Sequence, residues 1–552
     1  MSGRREKAAR RGAAAGTAAA GQRAARPFAL TPLSELEDAE RARLFRRNAL
    51  YVIVGAVLFA AIYALLSWLK YRAYMDARFD LGNMVQAVYN TAHGRFLEIT
   101  TGELKPRQMS RLGSHVDPIL ALFALPWLVW PSPVMLLVLQ AVIVATGAWP
   151  AYRLGTRITR DPRAGALLAG AYLLYPALGF LVLNEFHPVA LATPLLLWSF
   201  LSIEEGRWLW ALPFLMLAAA CKETVPLVIG AMGVYFAIRK RSWRPLILTA
   251  VAAAYFVVAV WAIIPHFNGD QSAFIARYGD YGQGAGEVAR TALTHPGQTV
   301  ADLAALPNLE YWLKLLWPLG FTSLLSPLTL LIAAPELLLN ALSATTFQRR
   351  IEFHYTALEI PFLFAAAVLG VMRLWRWLGG GFRRAEKAMG GQRVRRETLA
   401  LLVLLAALAG NFLMGPLPFS LPGAAYDGRD YARTAHAVAL DEAVAMIPEG
   451  AKVSANNNAG AQLAARRVAF VFPYFAGADW VLVDEKHPFF YDKEDERMHQ
   501  LALGKLVLDN RFVSVYAKDG VYVFKRVAPD PGALPGGDAP QAAPTPGVSP
   551  TP

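Results

Sequence analysis

The stretch Y-V-I-V-G-A-V-L-F-A-A-I-Y-A-L-L-S-W-L, Tyr51–Leu69, decides the fold class of this chain. It contains no charged residue, and a helix of this length would cross a hydrocarbon core about 30 Å thick. Similar apolar runs recur along most of the sequence and are separated by polar segments. The pattern predicts a mostly α, polytopic bundle of transmembrane helices, with about 11 spans.

The whole chain has the composition of a membrane protein. Of its 552 residues, 55% are hydrophobic and only 17% are charged, which is unusual for a soluble chain of this length. The single cysteine, Cys221, excludes an internal disulfide and a cysteine-based metal site. The net charge of +13 reflects arginines in the N-terminal segment and in short loops. Such arginines mark the cytoplasmic side of a membrane protein, and no array of basic and aromatic residues indicates nucleic-acid binding.

The positive loops predict the orientation of the bundle in a cytoplasmic (inner) membrane. Residues 1–47 are expected to be a disordered, basic, cytoplasmic N-terminus. Residues 48–415 are expected to form the transmembrane domain, with its first outer loop at 70–133. Within that loop, Pro118–Trp130 is apolar but short, and we expect it to lie at the interface without crossing. Pro335–Phe347 is equally short, but a crossing there keeps the next basic loop inside.

After Gly415 the composition becomes that of a soluble domain. Helical periodicity over Tyr431–Ile447 and Glu494–Leu503 alternates with short β-rich runs. These runs predict five strands, at Lys452–Ala455, Val468–Phe472, Trp480–Val483, Phe512–Tyr516 and Val521–Phe524. We therefore expect a small extracytoplasmic α/β domain at 425–526, followed by a disordered Pro-rich tail at 527–552.

Unusual polar residues gather on the predicted outer side of the bilayer. Ionisable groups beside apolar spans cost about 2.5–3.5 kcal/mol each on insertion scales, so they are candidates for function. Asp76, by contrast, is expected to be a solvated loop acid. The candidate site residues are Asp80, His115, Asp117, His187, Lys222, Glu223, His354 and Tyr355.

Several of these residues also have purely structural explanations. Lys222 and Glu223 are compatible with a helix-end pair that reaches the membrane interface, and His187, just before a proline, with a helix cap. His115 and Asp117 are two residues apart, and this spacing fits a divalent metal ion only loosely.

An acid, several histidines and a lysine at an outer membrane face fit one reaction well, sugar transfer from a polyprenyl-phosphate donor. The carboxylate would act as general base on an acceptor hydroxyl. Cationic groups, or a divalent metal ion held by His115 and Asp117, would stabilise the departing phosphate.

Several motifs, in a fixed order, resemble the bacterial family of predicted membrane proteins called domain of unknown function 2079. The resemblance covers roughly Tyr71 to Arg526. The motifs are F-D-L-G-N-M-V-Q (Phe79–Gln86), G-S-H-V-D-P, F-H-P (Phe186–Pro188), K-E (Lys222–Glu223) and A-P-E-L-L-L-N (Ala334–Asn340).

The layout is also similar to that of the GT-C superfamily of membrane glycosyltransferases, in which a long first outer loop holds an acid near its start. That resemblance implies Asp80 as the catalytic acid position. The acid here is a lone aspartate and not a pair, which is a departure from the superfamily pattern. In the resulting hypothesis, Asp80 is the base and the substrate phosphate is bound by His115, His187, Lys222, Glu223, His354 and Tyr355.

Two other classes of function remain open at this stage. One is a transporter or flippase for lipids or small solutes, which would place polar groups near the middle of the membrane. The other is a non-catalytic envelope membrane protein whose α/β domain carries its role. A polar cavity that faces outward and converges on Asp80 would favour the enzyme.

Overall fold

The computed structural model describes residues 38–102, 106–269, 273–388, 395–418, 420–421, 428–487 and 493–528. The tail predicted to be disordered therefore lies outside the described residues, apart from its first two. The same holds for the first 37 residues of the predicted disordered N-terminus. Residues 38–47, also expected to be disordered, instead form the start of the first helix.

Most of the described chain is helical. Helices α1–α11 are Asp38–Arg72, Asn83–Ala92, Ala124–Trp127, Pro133–Ala145, Ala148–Thr159, Pro162–Leu173, Pro176–Leu183, Pro188–Glu204, Trp208–Ala219, Val225–Lys240 and Leu246–Val258. Helices α12–α22 are Ile264–Asn268, Ala285–Thr294, Pro296–Leu303, Leu306–Leu316, Pro327–Leu330, Ala334–Ala341, Ile360–Ala388, Arg396–Met414, Ala435–Ala445, Asn457–Gly460 and Lys493–Leu508.

The predicted membrane character is confirmed, although the predicted number of spans is not. By length and composition, five described helical segments are able to cross a membrane: Asp38–Arg72, Pro133–Thr159, Leu246–Asn268, Ile360–Leu378 and Arg396–Met414. Helices α6 and α7 are bent by 45° at a short break and would form a sixth span together. Helices α8 and α9 are apolar but shorter.

Proline sets where consecutive helices of the bundle begin. Helices α4, α6, α7 and α8 each start at a proline, whose fixed φ suits the first helical turn and whose missing N–H is not needed there. Asp161 and Ser132 accept hydrogen bonds from the first turns of α6 and α4. The break between α7 and α8 leaves the polar segment Asn184–His187 outside any helix.

Residues 306–358 differ most from the prediction. The apolar runs Trp312–Ala334 and Pro335–Phe347 of the sequence predict two crossings here. Instead the chain forms α15, α16 and α17 joined by 3₁₀ turns. The eight residues of α17 are about 12 Å long, less than half of a hydrocarbon core. The predicted crossing at Pro335–Phe347 is therefore not confirmed.

The segment Pro118–Trp130 is also too short to cross. It forms a 3₁₀ helix, Pro118–Phe123, followed by the four residues of α3. One side, including Leu120 and Trp127, is buried, whereas Leu125 and Val129 are exposed. Its location at the membrane interface remains a prediction.

The predicted C-terminal sheet is present, and all five strands start and end within two residues of the predicted bounds. In that sheet, β3 (Val453–Ala455) lies between β4 (Ala469–Val471) and β5 (Trp480–Asp484) and is parallel to both. Strand β7 (Val521–Arg526) joins β5 to β6 (Phe512–Lys518) by antiparallel pairing. Helices α20 and α22 pack on its two apolar faces. The remaining strands, β1 (Glu98–Thr100) and β2 (Gln108–Ser110), form a separate antiparallel pair.

The α/β domain packs directly against the segment that follows α1. Arg78, which is 1% exposed, donates hydrogen bonds to the carbonyl oxygens of Ala469 at 3.0 Å and Thr100 at 3.2 Å. Gln86 donates to the carbonyl of Arg467 at 2.8 Å. This interface lies directly beside Asp80.

Candidate active site

Asp80 lies in a single π-helical turn, Arg78–Gly82, which joins the end of the first span to α2. Such one-turn insertions occur frequently at functional sites. The two backbone amides that flank Asp80 both have side-chain acceptors. Leu81 donates to Glu185 at 2.8 Å, and Phe79 donates to Asn457 at 3.0 Å. The Asp80 side chain is 45% exposed although protein surrounds it on most sides, so its carboxylate faces an open recess.

His187 approaches Asp80 from the break between α7 and α8. Its Nε2 is 3.4 Å from an Asp80 carboxylate oxygen, and its Nδ1 is 2.7 Å from the carbonyl oxygen of Asn184. A carbonyl oxygen only accepts, so Nδ1 carries a proton. In a neutral ring, Nε2 would then also be an acceptor. The contact with Asp80 is therefore attractive only when a proton lies between Nε2 and the carboxylate.

The charge around Asp80 favours the ionised carboxylate. Burial raises the pKa of Asp80, but its hydrogen-bond contact with His187 and the positive charges of His187, Arg111 and Arg277 outweigh burial and lower the pKa below its usual range. A carboxylate that stays ionised and open to the recess can accept a proton from a bound hydroxyl group.

A second histidine stacks on the first. The rings of His187 and His354 lie 3.6 Å apart between centroids, with 19° between their planes. Asn184 holds His354 because its side-chain oxygen accepts from the backbone N–H at 3.0 Å and lies 3.1 Å from Nδ1. Burial and the positive charges of His187, Lys222, Arg277 and His115 lower the pKa of His354 well below its usual value. His354 is therefore neutral at physiological pH.

Two cations lie near the ring of Tyr355, which follows His354. Lys222 Nζ and the Arg277 guanidinium each lie 5.8 Å from the ring centroid, within the range of cation–π attraction. Arg277 also approaches the tyrosine hydroxyl at 3.4 Å. These cations and Arg111, which contributes to the field at Asp80, could neutralise a phosphate in the recess.

The G-S-H-V-D-P motif is held by carboxylate pairs. His115 Nδ1 is 2.9 Å from Glu223, which also accepts from the backbone N–H of Val116 at 3.1 Å. Asp117 accepts from Arg111 at 2.8 Å. Burial raises the pKa of Glu223, but the charge and hydrogen bond of His115 and the charge of Lys222 lower it to about 2.

The suggested metal site gains no support from this arrangement. His115 and Asp117 each have a protein partner, and among the described residues no group of three or more His, Cys, Asp and Glu side chains is arranged to hold a metal ion. The metal ion therefore remains only a prediction from the sequence.

Asp76 is not the solvated loop acid that was expected. It is 3% exposed and lies 3.6 Å from Lys70 Nζ, which also donates to the carbonyl of Leu183 at 2.7 Å. Burial raises the pKa of Asp76 despite the Lys70 charge. This prediction was wrong because the turn after α1 folds under the α/β domain and is shielded from solvent.

Most predicted site residues meet in one region. Asp80, His187, His354, Tyr355 and Lys222 surround the recess, and the His115–Glu223 pair is close enough for its charges to act on His354 and Lys222. The candidate set from the sequence leaves out four residues that position these groups or add charge to them: Arg111, Asn184, Arg277 and Asn457. Asn184 and Glu185 directly precede F-H-P, which is a signal in the sequence. Arg277 and Asn457 have no local signal.

Comparison with known proteins identifies the family. Residues 72–523 match the family described as predicted membrane protein (DUF2079). The chain belongs to this family. The match confirms the resemblance inferred from the motifs, and it includes both the recess and nearly all of the α/β domain.

The fold was also compared with solved structures. One similar structure is a single-particle cryo-EM structure of the arabinofuranosyltransferase AftD from Mycobacteria, at 14% sequence identity and a TM-score of 0.43. The similarity covers 86% of this family member but only 40% of that chain. No curated protein matches the sequence.

Proposed function

We propose that this protein is a membrane glycosyltransferase that uses a polyprenyl-phosphate-linked sugar at the outer face of the cytoplasmic membrane. One observation carries the proposal. Asp80 presents an accessible carboxylate beside His187 and in the positive field of Arg111 and Arg277, and it follows a helix that is long and apolar enough to cross a membrane. This combination suits a substrate with a hydroxyl to be deprotonated, a phosphate to be neutralised and a lipid tail.

The reaction has one bond-forming and one bond-breaking step. The oxygen of the acceptor hydroxyl forms a bond to the anomeric carbon of the donor sugar. The bond from that carbon to the phosphate oxygen breaks, and its electron pair remains on the departing polyprenyl phosphate. Asp80 takes the hydroxyl proton, and His187 stabilises the carboxylate at 3.4 Å.

The cations have a separate role in this proposal. Arg277 and Lys222 would bind the phosphate, whose negative charge grows as the sugar leaves, and charge-assisted hydrogen bonds are the strong ones for such a group. His354, held neutral by its surroundings, directs its Nδ1 proton to the side-chain oxygen of Asn184, so its Nε2 would accept a hydrogen bond from a substrate hydroxyl. Tyr355 keeps the two cations close to each other.

The test compares Asp80→Asn with Glu310→Gln in protein reconstituted into lipid nanodiscs. Asp80→Asn removes the base with little change of shape, so transfer from a panel of polyprenyl-phosphate pentoses and hexoses should fall at least about 100-fold. Glu310 lies on α15, is 61% exposed and pairs with Lys314 one turn away, so its variant should behave as wild type.

Two results would contradict the proposal. Full transfer by Asp80→Asn would remove Asp80 as the base. If the wild type moves labelled lipid or solute across vesicle membranes but transfers no sugar, the transporter alternative is correct. Equal expression and membrane insertion of both variants guard against a folding defect.

A further inference from the structure

The side chain of Asn457 in the α/β domain bonds to the π-helical turn Arg78–Gly82, which we call the catalytic turn. Asn457 Oδ1 accepts the backbone N–H of Phe79 at 3.0 Å, on the opposite side of Asp80 from the amide that Glu185 holds. We propose that Asn457 is a positioning residue for Asp80, so that the α/β domain completes the active site of the bundle. This inference rests on the proposed function, in which Asp80 is the base.

Asn457 is itself fixed by its neighbours. It is 8% exposed and begins the short helix that follows strand β3. Asn456, just before it, accepts from the backbone N–H of Asp484 at 2.7 Å, and Asn458, just after it, donates to the Asp484 carboxylate at 2.9 Å. The flanking asparagines thus bind the sheet, and the middle one binds the catalytic turn.

A glycine permits this close approach. A Cβ atom on Gly460 would lie 2.7 Å from the Arg78 Cβ, which is shorter than any normal contact between carbon atoms. Arg78 in turn bonds to the carbonyl of Ala469 in β4. The catalytic turn is therefore bonded to the sheet at two places, the segment after the carboxyl end of β3 through Asn457 and the first residue of β4 through Arg78.

The hydrogen bond from Phe79 to Asn457 has a defined consequence for the sugar-transfer step. Asp80 lies between the two held amides, and its carboxylate must keep its contact with His187 while it accepts a proton. Positioning of this kind acts on the chemical step, because misplacement by about 1 Å can cost up to about 100-fold in rate. Binding of the lipid donor depends on other residues, so KM should change little.

The test compares three variants of the full chain in nanodiscs: Asn457→Ala, Asn457→Asp and Gln462→Ala. Asn457→Asp keeps the acceptor oxygen. Gln462 donates to the carbonyl of Tyr71 at 2.6 Å across the same interface, and no hydrogen bond of the described residues joins it to the catalytic turn. The amide hydrogen-exchange rate of the peptide that contains residues 78–82 reports how firmly the catalytic turn is fixed. The values of kcat and KM for sugar transfer report the effect on catalysis.

Asn457→Ala should raise amide exchange in the turn about fivefold, the effect of one lost hydrogen bond. It should also lower kcat about tenfold, with KM within about twofold of wild type. Asn457→Asp should restore slow exchange and most of kcat, and Gln462→Ala should change neither. Unchanged exchange in Asn457→Ala would overturn the inference, and so would faster exchange with normal kcat.

Failure of the proposed function gives a different result. If the wild type transfers no sugar from any donor, the proposed glycosyltransferase and the catalytic part of this inference are both wrong. The exchange measurement would still decide whether Asn457 holds the turn. The two failures are therefore distinguishable.

Discussion

The charge environment of Asp80 makes a prediction about pH. Asp80 must be ionised to act as a base, so activity is lost as the pH falls through its pKa. His187, Arg111 and Arg277 lower that pKa, so wild-type activity should persist to more acidic pH than an ordinary aspartate near 4 would allow. The measurement is the acidic limb of kcat against pH.

Arg277→Gln tests one of these charges. Loss of the guanidinium should move the acidic limb of the pH profile upward, by about one pH unit or less. The donor KM should also rise about tenfold, because a charged partner of the phosphate is lost. Arg290→Gln is the matched control, since Arg290 is an exposed arginine on α13 in the same polar segment. Equal pH profiles for the two variants would show that Arg277 does not act on Asp80.

The candidate residues could be predicted singly because each is an ionisable or aromatic residue next to apolar sequence. Their partners could not be predicted. Phe79 and Asn457 are separated by 378 positions, and nothing local to Asn457 distinguishes it from the asparagines on either side. The prediction for Asp76 failed in a different way, because its burial was misjudged. Its sequence suggests an exposed loop, but the covering α/β domain changes its environment.

At the scale of elements, close packing of α5 against α6 makes a prediction about stability. A Cβ on Gly165 would lie 2.9 Å from the carbonyl oxygen of Tyr152 and 2.8 Å from the amide nitrogen of Thr156. Backbone atoms cannot move aside cheaply, so Gly165→Ala should cost about 1–3 kcal/mol of stability. The measurement is the Tm of the purified protein in detergent.

Gly170→Ala is the control on the same helix. The nearest atom to its new Cβ would be a methyl carbon of Leu404 at 3.2 Å, and a side chain of this type can rotate away. Its Tm should therefore stay within a few degrees of wild type. If both variants lose the same amount of stability, the effect comes from the loss of glycine and not from the α5–α6 contact.

Helices and strands could be predicted from the sequence where a few neighbouring residues determine them. Short β-rich runs predicted the strands of the α/β domain, and prolines stand at the first residue of four helices of the bundle. The prediction failed over residues 306–358, where apolar composition suggested two spans. There Pro318, Pro327 and Pro335 interrupt the helices, so a run that is apolar enough to span is not continuous enough to do so.

At the scale of the whole molecule, the loss of both predicted crossings in 306–358 leaves the orientation unchanged. Two crossings return the chain to the side from which it started, so their removal preserves the side of every later segment. With α8, α9 and α10 each crossing, the α/β domain is still expected outside and the basic loop between α10 and α11 inside, as the positive-inside rule requires. A single crossing would have reversed the two final spans and the domain.

Two cysteine substitutions, each at a serine position, test this topology. Cys221 is the only cysteine, so Cys221→Ala gives a background without thiols. Ser514→Cys lies on an exposed position of β6 in the α/β domain, and Ser242→Cys lies in the basic loop after α10. In intact cells, a membrane-impermeant thiol reagent should label Ser514→Cys at once and Ser242→Cys only after permeabilisation. Labelling of both in intact cells would contradict the predicted position of the basic loop, whereas labelling of only Ser242→Cys would place the recess on a different side from a donor presented at the outer face. A sugar transfer reaction there would then need a cytoplasmic donor.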